Sequence, residues 1–518
     1  MVVSGAHATP RRRWHFRPRR ATDWHDGSLR HSKASNAFPV KPLGDTLHSG
    51  HIGDGHGARA SVMRIEHLRI EGFKSWRSVD FRLAPITGLF GGNSSGKSSL
   101  IQFLLMLKQT KEATDRSLAL DFGGPNSYTD LGSFRDIVFG KKEDGQVGWH
   151  IGWVLTDPLE IMDPRTSPPG ILFSGSQISL SSAVELRHGQ PITSFLRYEF
   201  SGHAFCLQRK DPQSRKYQLQ PSGKSEPFHF IRNQGRAWDL PGPIKSYAFP
   251  DQAKTYFQNA DFLSDFELSF ENLMDNIFYL GPLREYPRRE YIWGGASPTD
   301  VGRRGERTVD AILAAEARRE LRSLGWKKRR RSFQEILAHW LYELGLIAEF
   351  RVEEIARGSN LYRVRVKQDR RGIEVLLTDV GFGVSQFLPI LVLLYYVPEN
   401  SIVVLEQPEI HLHPHVQCGL GDVLINLVRA RNLQVIVESH SEHLLRRIQR
   451  RIAEGEVSPA ETALYFCDVT NGESRLTPLE VDLYGSIRNW PRDFFGDEFG
   501  EIAAIQEAGL QRRLSAAE

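Results

Sequence analysis

Cysteine is scarce in this sequence. Cys206, Cys418 and Cys467 are the only three among 518 residues, and they lie far apart. Their number and spacing exclude a disulfide framework and give no zinc-ligand pattern. The longest apolar run, 387–397, is too short to cross a bilayer, so we interpret it as a buried helix. The scarce and widely spaced cysteines predict a reducing cytoplasm, and the composition, with 40% hydrophobic and 25% charged residues, predicts two or three globular domains.

A strong excess of positive charge is also missing from most of the chain. The formal net charge is +4, but residues 1–62 hold ten Lys or Arg against four Asp, which leaves −2 for the remainder. The charge balance therefore does not indicate that the body of the protein binds nucleic acid.

Residues 1–62 have no periodic apolar pattern and are rich in Gly, Pro, Arg and His, so we expect them to be disordered. They resemble neither a secretory signal nor a transit peptide. Because a strand pattern begins directly after Met63, we hypothesise that translation starts at Met63. N-terminal sequencing of the native protein tests this, and a peptide from residues 1–62 would contradict it.

The strongest motif is a glycine-rich loop between a predicted strand, 86–90, and a predicted helix, 98–109. Residues 91–98 read Gly-Gly-Asn-Ser-Ser-Gly-Lys-Ser, a complete Walker A loop. In such a loop backbone N–H groups and the helix N-terminus face phosphates, Lys97 neutralises their charge, and the Ser98 hydroxyl binds Mg²⁺. The predicted ATP-binding residues are Gly91, Asn93, Ser94, Ser95, Gly96, Lys97, Ser98 and Ser99.

Two later strands end in polar residues. Ile402-Val403-Val404-Leu405 leads into Glu406, and Val435-Ile436-Val437 leads into Glu438-Ser439-His440. Ligands of open α/β sheets bind at the carboxyl edge of the strands. We therefore predict Glu406 as a Mg²⁺ ligand and His440 as a group that hydrogen-bonds the γ-phosphate.

Four segments resemble the AAA-family ATPases of the RecF, OLD and SMC type, whose core is ABC-like. They are Gly72-Phe73-Lys74-Ser75, Gly381-Phe382-Gly383-Val384-Ser385-Gln386, the run from Pro408 to Pro414 (Pro-Glu-Ile-His-Leu-His-Pro) and Glu438-Ser439-His440-Ser441. The resemblance covers most of residues 63–500. It implies an α/β fold: a P-loop ABC-type core with a mixed sheet and flanking helices, split by an inserted strand-rich and helical region.

In that family, ATP is sandwiched between two protomers. The resemblance implies that Gly383, Ser385 and Gln386 form a signature contact with the nucleotide of the partner. It also implies that His411 and His413 form the loop after the Walker B strand and that His440 is the switch histidine.

This sequence departs from the family pattern at two places. The signature segment is not Leu-Ser-Gly-Gly-Gln, and Gln407 stands where the pattern has a catalytic Glu. An amide orients water but cannot accept its proton. The candidate catalytic residues are therefore Gln407, Glu409 and His440, with Glu438 as a further possible aid. Otherwise, hydrolysis is slow and ATP acts as a clamp.

Two other features allow alternative interpretations. His411, His413 and His415 could bind a metal, since alternate histidines are good ligands. The basic run 327–331 and the arginines of the last core helix could contact phosphate backbones or form a solvated face. Those arginines are Arg446, Arg447, Arg450 and Arg451.

The strand and helix pattern predicts the following division: a leader, 1–62; the Walker A half of the core, 63–150; a strand-rich insertion, 151–275; a loop and helical lobe, 276–370; the second half of the core, 371–500; and a tail, 501–518. We find no internal repeat of 20 to 50 residues.

The predicted function is an ATPase whose nucleotide-dependent dimerisation controls a partner effector or DNA, in bacterial anti-phage defence or DNA maintenance. Only 78 residues follow His440, and they contain no Asp-x-Asp pair, so we expect a separate effector such as a nuclease. A non-hydrolysing, ATP-gated clamp or scaffold is the alternative. A P-loop GTPase or small-molecule kinase fits less well, because the Asn-Lys-x-Asp guanine motif is absent and the Glu406 and His440 strands stay unexplained.

Overall fold

The computed structural model describes residues 63–515, apart from 143, 164–167, 169, 212–213, 224–227, 236–238, 325–328 and 492–497. The leader, 1–62, and the last three residues of the predicted tail lie outside the described residues. Among the described helices, none is long and apolar enough to span a bilayer.

The strands are β1 Met63–Phe73, β2 Trp76–Arg82, β3 Ile86–Gly91, β4 Gln146–Asp163, β5 Gly170–Arg187, β6 Gln190–Phe200, β7 His203–Arg209, β8 Tyr217–Gly223, β9 Ile277–Leu280, β10 Tyr291–Ile292, β11 Leu321–Ser323, β12 Arg330–Ser332, β13 Glu349–Glu354, β14 Leu361–Lys367, β15 Glu374–Leu376, β16 Ile402–Glu406, β17 Gln434–Ser439, β18 Thr462–Thr470 and β19 Glu473–Pro478. The helices are α1 Lys97–Glu112, α2 Phe134–Ile137, α3 Asp251–Tyr256, α4 Leu263–Asp275, α5 Thr308–Ala317, α6 Phe333–Glu343, α7 Phe382–Tyr396, α8 Pro414–Arg431, α9 Glu442–Ala453 and α10 Glu498–Ser515.

A six-stranded sheet in the order β19-β18-β3-β17-β16-β9 carries the Walker A loop. Strands β18, β3, β17, β16 and β9 are parallel, and β19 is antiparallel to β18. Every residue of β3, β9, β16 and β17 is buried, which explains their continuous apolar runs, since parallel sheets are covered on both faces. The register pairs Glu406 of β16 with Glu438 of β17, so both carboxyls reach the same edge.

The strand-rich region forms a second sheet, in the order β2-β1-β4-β5-β6-β7-β8. Its strand β4 pairs antiparallel with β1, so the region predicted as an insertion shares one sheet with the first hairpin of the chain. The domain boundary placed at residue 150 stays a prediction.

Two hydrophobic cores cover the two faces of the parallel sheet. One core joins the antiparallel sheet, α1 and α4 to one set of alternating strand residues, such as Leu89, Val404 and Ile436. The other packs helices α5 to α9 against the opposite set, such as Phe90, Leu405 and Val437. The expected fold class, a mixed sheet with flanking helices and an inserted strand-rich and helical region, is confirmed.

Helix α1, which begins at the Walker A lysine, is fixed at its far end by the inserted region. Lys245 Nζ donates to the carbonyls of Lys111 and Ala113, at 2.8 Å each. Lys108 Nζ donates to the carbonyl of Met274, at the end of α4, at 2.9 Å. These bonds satisfy carbonyls that a helix end leaves without intrahelical partners, and they set the position of α1 against the sheet.

Two local predictions differ from the structure. The region 150–275 reads as strand-like, but its last part forms α3 and α4. In α4, Leu263, Phe266 and Phe270 have helical spacing and are fully buried, so burial of one helix face determines the structure. The predicted loop and helical lobe, 276–370, also contains strands: β11 and β12 form a short antiparallel pair between α5 and α6.

Candidate nucleotide-binding site

The Walker A loop needs glycine at both of its ends. Gly91 has φ 140°, and a Cβ there would lie 2.1 Å from the carbonyl oxygen of Cys467. Gly96 has φ 94°, and a Cβ there would lie 2.4 Å from Ser474 Oγ. Trp76 Nε1 donates to the Gly96 carbonyl at 3.1 Å. The loop is therefore held tightly against β2 and β19, and only glycine fits these two positions.

The lysine of the loop points back into it. Lys97 is 3% exposed, and its Nζ donates to the carbonyls of Gly91 and Gly92 at 3.0 and 2.6 Å. Burial lowers the pKa of Lys97, which Glu438 partly offsets. Asn93 and Ser94 are exposed, Ser95 is buried, and Ser98 and Ser99 are half-buried at the start of α1. Lys97 and the first N–H groups of α1 thus form a cationic cradle suited to phosphates.

Ser98 contacts a carboxylate from the neighbouring strand. Its Oγ donates to Glu438 Oε1 at 2.8 Å, while Glu438 Oε2 has no hydrogen-bond partner among the described residues. The predicted ligand Glu406 lies one strand further, at the same edge. A hydroxyl and two carboxylates are the oxygen donors that Mg²⁺ takes, so the donor set fits the ion.

The carboxyls of Glu406 and Glu438 at this edge are buried. Glu406 is 8% exposed and Glu438 is 2% exposed. Burial, and then the charge of Glu438, raises the pKa of Glu406 to about 8, although Tyr279 donates a hydrogen bond to it. Burial also raises the pKa of Glu438, against the effects of Ser98 and Lys97. A divalent cation at this edge would relieve the repulsion between the two groups.

Gln407 follows Glu406 in the left-handed conformation, with φ 42°. Its backbone N–H donates to the Glu438 carbonyl at 2.8 Å, and its side chain acts to lower the pKa of the Glu438 carboxyl. A non-glycine residue held at positive φ is strained, and such strain concentrates at functional sites. Gln407 therefore follows the acidic edge directly, and its role in orienting water stays a prediction.

Glu409 joins the Walker B loop to the His440 segment. Its Oε1 accepts from the His440 backbone N–H at 2.6 Å, and burial raises the pKa of the carboxyl against the effect of this hydrogen bond. The register pairs Ser439 of β17 with Phe90 of β3, so His440 follows at the level of Gly91, and burial lowers the pKa of His440. These contacts bring His440 next to the Walker A loop. In this structure the Glu409 carboxyl holds the segment that carries His440, and its catalytic role stays a prediction.

The signature residues lie at the N-terminus of α7. Phe382 is exposed, but Ser385 and Gln386 are buried at 7% and 5% exposure. Ser385 Oγ donates within its own helix, to the Phe382 carbonyl at 2.9 Å. The Phe382 ring lies 5.9 Å from that of His411. The start of α7 therefore lies beside the segment after Walker B, where Gly383 also faces the His411 carbonyl.

The histidines after Walker B have a local role in the structure. His413 Nδ1 accepts from the backbone N–H of His415 at 3.3 Å, which caps α8. Over the described residues, no group of three or more His, Cys, Asp or Glu side chains could hold a metal ion.

The arginines of α9 are engaged within the chain. Arg447 and Arg451 pair with Asp422 of α8 at 2.6 and 2.7 Å, and Arg446 and Arg450 pair with Glu442 and Glu454. They are therefore not a set of free cations for a phosphate backbone. Of the other basic run, Lys327 and Lys328 lie outside the described residues.

Arg284 is a site residue that the sequence did not single out. It follows β9 at the carboxyl edge and is 5% exposed. Its Nη2 donates weakly to the carbonyls of Glu406 and Gln407, at 3.4 and 3.5 Å. The available signal was its position in Gly-Pro-Leu-Arg, directly after an apolar strand. Glu438, considered in the sequence only as an aid to catalysis, proves to be the partner of Ser98.

Comparison with known proteins adds an independent observation. Residues 323–445 match the family model described as an AAA ATPase domain. This part of the chain is similar to AAA-type ATPase domains. The matched residues include Gln407 and the Glu406 and His440 strands, and the structure brings the Walker A loop to the same edge of the sheet. Residues 457–505 match a family of unknown function.

Among curated proteins, no match is found. Solved structures similar to this chain include the SMC head domain from Thermotoga maritima, at 14% identity and a TM-score of 0.33, over 81% of this chain and 100% of that one. A second is an SMC head bound to the C-terminal winged-helix domain of ScpA, at 11% identity and a TM-score of 0.37, over 81% and 98%. A third is an SMC head from Pyrococcus furiosus with a ScpA domain, at 10% identity and a TM-score of 0.37, over 81% and 96%.

Proposed function

We propose that this chain binds ATP with Mg²⁺ and hydrolyses it slowly, in the cytoplasm. The observation that carries the proposal is the contact between Ser98 and Glu438 beside the buried Lys97. It joins the phosphate cradle of β3 and α1 to the acidic edge of β16 and β17. A nucleotide's terminal phosphates and their cation need both parts in one place.

Each residue has a defined task in this proposal. When ATP binds, Lys97 Nζ would break its hydrogen bonds to the Gly91 and Gly92 carbonyls and would donate to phosphate oxygens instead. Ser98, Glu438 and Glu406 would hold Mg²⁺, which would supply positive charge to the phosphates as negative charge builds on them. His440, already against Gly91, would donate to the γ-phosphate, and Gln407 would orient the attacking water.

Gln407 favours slow turnover. Its amide cannot remove a proton from water, Glu438 would hold Mg²⁺, and one oxygen of Glu409 already accepts from the His440 backbone. This arrangement also supports a second candidate function, an ATP-gated clamp or scaffold that does not hydrolyse. In either case the nucleotide is bound by the same residues.

Nucleotide-dependent dimerisation is the next part of the proposal. Because Ser385 and Gln386 are buried, the trans contact would be made by the exposed start of α7, through Gly383 and the free N–H groups of the first helical turn. The dimer would control a separate effector, such as a nuclease, or DNA, in bacterial defence or DNA maintenance.

Phosphate release by the wild-type chain, Lys97→Ala and Gln407→Glu tests the proposal. Slow turnover that Lys97→Ala abolishes, and that Gln407→Glu raises about 100-fold by supplying a general base, supports the ATPase. ATP binding without turnover in the wild type supports the clamp. Sedimentation with and without Mg·ATP tests dimerisation, and a monomer under saturating nucleotide would contradict it.

A further inference from the structure

The site contains more buried charge than its nucleotide-binding motifs require. Three carboxyls, Glu406, Glu409 and Glu438, are at most 8% exposed. Lys97 lies with Glu438 at the Walker A side of the cluster. Arg284, also buried, lies under the Walker B loop on the other side, and the charge of Glu409 acts to raise its pKa against the lowering effect of burial. Buried charges are retained in proteins when they are paired or hydrogen-bonded.

The hydrogen bonds of Arg284 are incomplete. Its Nε and Nη1 are buried without a hydrogen-bond partner among the described residues, and so is Glu409 Oε2. The one hydrogen-bonding group, Nη2, contacts the carbonyls at the point where the chain turns into the left-handed Gln407. Arg284 thus has free donors and contacts the backbone two residues before a carboxylate with a free acceptor. Buried polar groups without partners cost stability, so their presence calls for a role in the site.

We propose that Arg284 is a positioning residue of this site: its guanidinium interacts with Glu409 and holds the Glu406 and Gln407 carbonyls, so that Gln407 stays beside the nucleotide. This inference rests on the proposed ATPase function and extends it to a residue outside the nucleotide-binding motifs. Arg284 does not touch the nucleotide in this account. It acts through the backbone of the loop that carries the Mg²⁺ ligand and the water-orienting amide.

The kinetic test separates positioning from folding. We expect Arg284→Gln to lower kcat about 10- to 100-fold, as outer groups that orient an active site do, and to change the Kd of ATP in EDTA less than about threefold. Arg284→Lys keeps the charge but not the planar fork, so kcat should recover only in part. Arg289→Gln is the matched control, because Arg289 lies five residues further on, exposed and paired with Asp379 at 2.9 Å. Equal kcat in Arg284→Gln and Arg289→Gln would overturn the proposal.

A second test does not depend on turnover. If Arg284 and Glu409 stabilise each other, Arg284→Gln and Glu409→Gln each leave one buried charge unbalanced, and the double variant removes both. We expect the double variant to have a higher Tm than either single variant. Additive losses of Tm would refute the interaction even if the wild type does not hydrolyse ATP. A wild type that does not bind ATP would refute the proposed function, while the Tm comparison would still decide the pairing.

Discussion

The raised pKa of Glu406 makes the stability of the nucleotide-free protein depend on pH in a way that one substitution removes. Burial and the charge of Glu438 shift this pKa from the ordinary value of 4.5 to about 8. Between these values the folded state keeps a proton that the unfolded state has lost, so stability falls as pH rises through the window and the loss is complete above pH 8. A pKa difference of about 3.5 corresponds to roughly 5 kcal/mol over the whole window.

The test compares wild type and Glu406→Gln by urea unfolding in EDTA at pH 6.0 and pH 8.5. About two of the 3.5 pH units of the window lie between these conditions, which corresponds to roughly 3 kcal/mol. The wild type should lose this amount relative to Glu406→Gln, because the neutral amide does not titrate. Glu507→Gln, at an exposed position of α10, is the control and should follow the wild type. Parallel pH dependence in wild type and Glu406→Gln would show that Glu406 is ionised in the folded protein, against this reasoning.

Two further predictions concern the loop and the acidic edge. Gly91→Ala should lower the free energy of unfolding, measured by urea titration, by at least about 2 kcal/mol, because its Cβ would meet the Cys467 carbonyl. Gly92→Ala is the control and should not lower it, because the space around Gly92 is open. Glu438→Gln should weaken Mg·ATP binding about tenfold while binding in EDTA changes little, as measured by calorimetry; equal losses in both conditions would argue against a metal ligand.

The parallel core could be predicted from the sequence because its signals are local. A glycine-rich loop between a strand and a helix, and apolar runs that end in Glu406 and His440, each indicate an element and the edge that it reaches. The structure places both residues at that edge. The interpretation was wrong for α4: Leu263, Phe266 and Phe270 have helical spacing, but the surrounding region has strand-like alternation and was predicted as strands throughout.

The pairing of side chains could not be predicted in the same way. Whether Ser98 contacts Glu406 or Glu438 depends on the strand order β3-β17-β16, which places β17 beside β3 and β16 one position further. Arg284 has no motif, and its role depends on the edge strand β9, which reaches the site only after the chain has passed through the whole second sheet. Both depend on contacts between residues that are more than 100 positions apart in the sequence.

The binding of Mg·ATP to wild type and to Lys97→Ala tests the central claim most directly, with Lys142→Ala, at an exposed position, as the control. Calorimetry should show saturable binding by wild type and Lys142→Ala, and a loss of about 100-fold or more in affinity for Lys97→Ala, since the buried ammonium neutralises the terminal phosphates. Equal affinity of all three proteins for Mg·ATP, or no binding by the wild type, would contradict the assignment of residues 91–98 as the phosphate site.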